Sequence, residues 1–95
     1  MPHSPSKTPP GALRLEGELD LYAAERVHAA LVELLHGSAP AELDLSAVAG
    51  CDASGAQLLL SARATAAAQG RTLRFVAIPE PVHACFGRLG LPALS

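Results

Sequence analysis

The residues with the clearest potential for chemistry lie in one short segment, residues 50–55 (GCDASG). Within it, Asp52 supplies a carboxylate, Ser54 a hydroxyl, and Gly55 lets the backbone approach a neighbouring group closely. Asp52 and Ser54 are both favoured helix N-cap types, so a capped turn alone accounts for them. A phosphate on Ser54 would also be tolerated, because a helix N-terminus favours an anion by roughly 0.3–1 kcal/mol. The segment therefore predicts either a structural cap or a serine that can be modified.

The two readings of Ser54 predict different consequences of changing it. A phosphate would place about two negative charges near Asp52, which alters what the surface binds more than it alters the fold. If Ser54 is the cap, Ser54→Ala costs about 0.5–2 kcal/mol of stability.

Local motifs of common enzymes are absent from the chain: it has no GxSxG elbow, P-loop, GxGxxG or HExxH sequence. A hydrolase built on Ser54 would also need a base, and the neighbouring sequence offers none. The four histidines fall in the first ten residues or at scattered helical positions, which predicts packing or surface roles (His3, His28, His36 and His83). We therefore expect a protein that is not an enzyme and has no catalytic residue.

The two cysteines, Cys51 and Cys85, are far apart and have no metal-ligand spacing. This pattern predicts neither a disulfide framework nor a zinc site. We expect two reduced and mostly buried thiols, with no metal and no cofactor.

Length and composition restrict the fold and the partners. A chain of 95 residues fits one domain. Residues 1–10 hold four of the eight prolines and no apolar signal segment, so they predict a disordered leader before a single domain over residues 11–95. A net charge of −2 without a basic stripe argues against nucleic acid, and no apolar run is long enough to enter a membrane. The expected protein is soluble and cytoplasmic.

The first half of the domain has the pattern of a strand, a helix and a strand. Leucines alternate with charged residues up to Leu19, which predicts the first strand. Apolar residues at helical spacing predict a helix from Leu21 to His36, with Asp20 as its N-cap and Gly37 after its end. A second strand over residues 42–48 is predicted to end in a turn at residues 49–50.

The second half repeats this order. An Ala- and Leu-rich segment without proline predicts a helix over residues 54–69, stopped by Gly70. The near-continuous apolar run of residues 71–78 predicts a strand covered on both faces, central or next to central in the sheet. A last short helix begins near Pro81 and stops at Gly90. Alternating strands and helices predict an α/β domain: a small, mostly parallel sheet of about three to four strands with helices packed on it.

Two segments resemble a known family. Residues 15–20 (LEGELD) and residues 43–76, from LDLSAV to LRFV, are similar to the first-strand signature and the centre of a STAS domain (sulfate transporter and anti-sigma factor antagonist). The likeness extends over residues 13–91. It implies a STAS-like fold for the whole ordered domain.

The resemblance also implies roles for individual residues. In bacterial anti-sigma factor antagonists, the serine of Asp-x-Ser-Gly is phosphorylated by a partner serine kinase that is itself the anti-sigma factor, and the unmodified form binds that partner. By this match Ser54 is the phosphate acceptor, and Asp20, Asp52, Ala53 and Gly55 belong to the partner-binding face. Other relatives are associated with chemotaxis kinases or are small subunits of lipid-transport ATPases, so a constitutive subunit without phosphorylation is the alternative.

The chain departs from the family pattern at both ends. Family members commonly carry an extra N-terminal strand and a longer terminal helix. A missing strand would leave an edge or an apolar face uncovered, which favours self-association. The alanine-rich run of residues 62–68 points the same way.

Overall fold

A computed structural model describes residues 11–36 and 40–94 of the chain. Strands and helices alternate as predicted: β1 (Ala12–Leu19), α1 (Leu21–His36), β2 (Ala41–Cys51), α2 (Ala53–Ala68), β3 (Leu73–Val76) and α3 (Glu80–Arg88). The predicted α/β fold with a small parallel sheet is confirmed. The predicted leader at residues 1–10 and the predicted stop at Gly37 lie outside the described residues.

In the described part of the chain the sheet has three parallel strands in the order β1-β2-β3. The third strand was predicted over residues 71–78, central or next to central; it is shorter, at four residues, and lies at the edge of the sheet next to the central strand β2. Its pairing stops at Val76, and the next residue, Ala77, has a φ of 54°. A non-glycine residue in this region turns the chain out of the extended conformation. The apolar residues of this segment are not buried on both faces: Leu73 is buried, whereas Phe75 and Ile78 are partly buried against the core.

Strand β2 is central and longer than predicted. It passes through the expected turn at residues 49–50, because its pairing with β1 continues to Glu18 opposite Gly50 and Leu19 opposite Cys51. At two points β2 carries one residue more than β1, between Asp44 and Ala47 and between Val48 and Gly50, and these register shifts accommodate the pairing. As a result β1 and β2 end side by side, which fixes where the next residues of both strands lie.

One apolar layer holds the domain together. Along β2, Leu43 and Leu45 are fully buried while Glu42 and Asp44 alternate outwards. Helix α1 covers this layer with four buried residues spaced four apart: Ala23, Val27, Leu31 and Leu35. Among the described residues the core contains no polar or charged side chain. The outward side of the sheet is polar, with an exposed ion pair between Glu42 and Arg74 at 3.8 Å.

Candidate functional site at the carboxyl edge of the sheet

The starts of α1 and α2 lie together at the carboxyl edge of the sheet. Since Leu19 and Cys51 are paired in the two strands, Asp20 and Asp52 follow them at the same edge. The backbone N–H of Ala23 donates to Oδ1 of Asp20 at 2.9 Å, and the N–H of Gly55 donates to Oδ1 of Asp52 at 3.0 Å. Both aspartates are therefore N-caps, as predicted, and both carboxylates are held at this edge.

Gly55 allows α2 to begin directly against the end of β1. The residue is buried, and a Cβ at this position would overlap the carbonyl oxygen of Leu19 and lie 2.8 Å from its Cβ. The N–H of Asp52 also donates to the Leu19 carbonyl, at 3.1 Å. Only glycine permits this approach, so Gly55 positions the turn and Ser54.

Ser54 is the second residue of α2 and is half-buried. The interpretation of Ser54 as the helix cap is wrong, because Asp52 occupies the cap position and its carboxylate accepts the capping hydrogen bond. The sequence offered two good cap types, and the extension of β2 to Cys51 decided between them. Within residues 11–36 and 40–94, the Ser54 hydroxyl makes no hydrogen bond. The Ser54 hydroxyl therefore has no structural role as a helix cap.

The Ser54 hydroxyl opens onto a shallow depression of about 520 Å³ between α1 and α2. Leu21 and Ala24 form its α1 wall, and Gln57 and Leu58 lie on the α2 side. In the described part of the chain, no His, Cys, Asp, Glu, Lys or Arg side chain lines it. The depression can receive a partner side chain or a phosphate, but its lining supplies no base that would activate the hydroxyl.

Two exposed large apolar residues at the start of α1 were not predicted from the sequence, and one of them, Leu21, lines this depression. Leu21 is 66% exposed and Tyr22 is 83% exposed, and both directly follow Asp20. Their exposure has a signal in the sequence. Neither residue shares the four-residue spacing of Ala23 and Val27, which marks the buried face of α1. Tyrosine exposed beside polar groups is typical of protein interfaces.

The assignment of the cap gives a testable difference in stability. We expect Ser54→Ala to change the free energy of unfolding by at most about 0.5 kcal/mol, since it removes no cap and replaces one tolerated helix residue by a better one. Asp52→Ala should cost about 0.5–2 kcal/mol, because it leaves the Gly55 N–H without its acceptor. Urea unfolding of both variants measures this, and a larger loss for Ser54→Ala would contradict the assignment.

The two thiols meet behind the turn. Cys51 ends β2 and is half-buried, while Cys85 is buried on α3. Burial raises the pKa of the Cys51 thiol to about 12, with further contributions from hydrogen bonding to Cys85 and from the charge of Asp52. Both cysteines are free thiols in the structure, and Cys51 is half-buried where mostly buried thiols were expected.

Cys51 is expected to resist alkylation in the folded protein. Only the thiolate reacts, and raising the pKa from 9.0 to about 12 leaves a thiolate fraction at pH 9 that is ~500-fold smaller. Iodoacetamide labelling followed by peptide mass spectrometry should show slow reaction at Cys51 and fast reaction in urea. Equal rates in both states would contradict the raised pKa. The raised pKa also predicts a pH dependence of stability. Because the Cys51 thiol ionises at lower pH in the unfolded chain than in the folded one, the free energy of unfolding should be at its full value below about pH 9 and fall as the pH rises toward 12.

Comparisons with known proteins identify the family. A family model described as "Mlab, STAS domain" matches residues 5–94. The chain belongs to the STAS domain family. A crystal structure analysis of Mglu contains a similar fold, with a TM-score of 0.65 and 28% sequence identity over 75% of this chain. The match spans only 18% of the Mglu chain. No curated protein matches the chain.

The family assignment agrees with the position of the site. In this STAS domain the Asp-x-Ser-Gly turn, residues 52–55, lies at the carboxyl edge of a parallel sheet, where functional groups of open α/β folds gather. The structure brings together Asp20, Asp52, Ser54 and Gly55, with Ala53 exposed between them. Their roles in binding and modification stay predictions. The described residues include no cluster of His, Cys, Asp and Glu suited to a metal and no helix able to span a membrane.

Proposed function

We propose that this STAS domain is a cytoplasmic protein-binding module whose affinity for a partner is switched by phosphorylation of Ser54. The partner class is a serine kinase that also acts as an anti-sigma factor, or a related signalling protein. One observation carries the proposal: the Ser54 hydroxyl lies at the start of α2, where Asp52 already caps the helix and leaves the hydroxyl without a hydrogen bond in the described chain.

The surroundings of Ser54 suit an added phosphate. The N-terminal turn of α2 favours an anion by roughly 0.3–1 kcal/mol at an exposed site, so the helix tolerates it. Asp52 and Asp20 are fixed nearby by their capping hydrogen bonds and do not withdraw easily. A phosphate therefore concentrates negative charge at this edge without unfolding it.

The same edge has the composition of a docking surface. Leu21 and Tyr22 present apolar area on α1, and Ala53 and Gln57 are exposed on α2. An aromatic anchor beside polar groups is the usual centre of a protein interface. Modification of Ser54 would thus change the middle of the surface that the partner covers.

Phosphorylation is tested directly with candidate serine kinases and ATP. We expect one phosphate, mapped by mass spectrometry to Ser54, and none on the Ser54→Ala variant. Ser61→Ala is the matched control, since Ser61 lines the same depression from α2 and should leave the reaction unchanged. Phosphate on another residue, or none with any candidate kinase, would contradict the switch.

The alternative is a constitutive subunit of a chemotaxis-associated or lipid-transport assembly. The exposure of Leu21 and Tyr22 favours docking whether or not Ser54 is modified. A partner that binds wild type, Ser54→Ala and phosphorylated protein with equal affinity would support this alternative.

A further inference from the structure

A second and deeper groove runs between α1 and α2, toward the ends of both helices. Its volume is about 640 Å³, within the range of ~300–1,000 Å³ that is usual for small-molecule sites. The floor is apolar and is built by Leu31 and Leu35 of α1 and by Leu58 and Ala62 of α2. From His28 to His36, α1 advances by about 12 Å, which gives the groove the length of a medium alkyl chain.

The polar groups of this groove are gathered along its rim and at one end. His28 and His36 contribute imidazoles from α1, and Arg71 lies where the chain leaves α2. Nη1 of Arg71 donates to the carbonyl of Leu34 at 3.2 Å, which fixes the guanidinium at the end of the groove. Among the described residues that line it there is no carboxylate.

Several carbonyls at the end of α2 have hydrogen-bond partners within the chain. Helix carbonyls at a C-terminus normally favour a cation. Here the carbonyls of Thr65, Ala66 and Ala67 accept hydrogen bonds from the N–H groups of residues 69–71, and that of Leu34 accepts from the Arg71 side chain. These hydrogen bonds do not cancel the helix dipoles, but Arg71 carries the permanent full charge among the described residues that line the groove.

We propose that the groove binds an amphipathic organic anion. Its alkyl chain lies on the floor formed by Leu31, Leu35, Leu58 and Ala62, and its carboxylate or phosphate head lies against Arg71 and His36. Charge complementarity selects this occupant, since a cationic head would face the guanidinium. The proposal is independent of the Ser54 switch.

Binding is tested by calorimetry and by NMR on the full chain, with decanoate and decyl phosphate as probes below their micelle concentrations. Decyltrimethylammonium and decanol have the same chain with a cationic or a neutral head. We expect saturable binding of both anions at one site per chain, and at least tenfold weaker binding of the cation. The amides of residues 28–36 and 61–71 should shift. Decanoate and decyl phosphate together show which head group is preferred.

Substitutions test whether the ligand binds in the groove. Thr65→Trp fills the groove from its exposed rim and should weaken anion binding at least tenfold, whereas Ala64→Trp, on an exposed neighbouring position, should not. Arg71→Gln should weaken the anions but not decanol, a contrast that general unfolding would not produce. No saturable binding, equal binding of all four amphiphiles, or unchanged affinity in Thr65→Trp would overturn the proposal. Self-association that Thr65→Trp abolishes and the anions do not affect would assign the groove to a second copy and overturn it as well.

Discussion

Replacing Tyr22 by alanine is expected to weaken binding of the partner by ~30-fold or more, which corresponds to the ~2 kcal/mol of an interface hot spot. Tyr22 is 83% exposed at the first turn of α1, beside Leu21 and next to the Asp20 cap. A tyrosine buries a large area when a partner covers it and loses little side-chain entropy. Since the side chain has few contacts within the domain, the free energy of unfolding should change by no more than about 0.5 kcal/mol.

The matched control is Leu89→Ala. Leu89 is also an exposed large apolar residue, at 45%, but it lies at the end of α3. Calorimetry of each variant with the partner, together with a thermal melt, separates lost contact from lost fold. If Tyr22→Ala and Leu89→Ala bind as tightly as wild type, the edge around Ser54 is not the docking surface.

Phosphoserine at position 54 is expected to weaken the same interaction at least tenfold while the melting temperature changes little. In the free domain the phosphate gains from the N-terminus of α2 and remains hydrated. Under a docked partner it must lose water beside Asp52 and displace apolar contact with Leu21 and Ala24 in the depression. A desolvated like-charge contact costs several kcal/mol, whereas tenfold requires only ~1.4 kcal/mol.

Charge and size can be separated by comparing Ser54→Asp with Ser54→Asn, which have nearly the same shape. We expect the aspartate to account for most of the loss. Ser61→Asp adds the same charge farther along α2, on the wall of the same depression, and should have a smaller effect. Equal affinity of the unmodified and phosphoserine forms would remove the switch even though the fold is established.

The parts of the site that follow from local chemistry were predictable. Asp20 acts as the cap of α1 because the preference of Asp for this position depends on a few neighbouring atoms. The end of β2 was not predictable in the same way, because its pairing to Cys51 depends on two register shifts of β2 against β1, a strand about thirty residues away in sequence. The early end of β3 at Val76 coincides with the positive φ of Ala77, which has no sequence signal. The same non-local pairing decides that Asp52, and not Ser54, caps α2.

The hydrogen bond between Asp52 and Leu19, together with the contact of Gly55 with Leu19, makes the Ser54 surface a composite of two distant stretches of chain. A peptide of residues 48–62 would carry the serine and its acidic neighbour but would lack the wall provided by Leu21 and Ala24. A kinase that recognises this surface would therefore act on folded copies and pass over nascent or denatured ones. With such a kinase, the phosphorylated fraction of the protein would consist of folded domains.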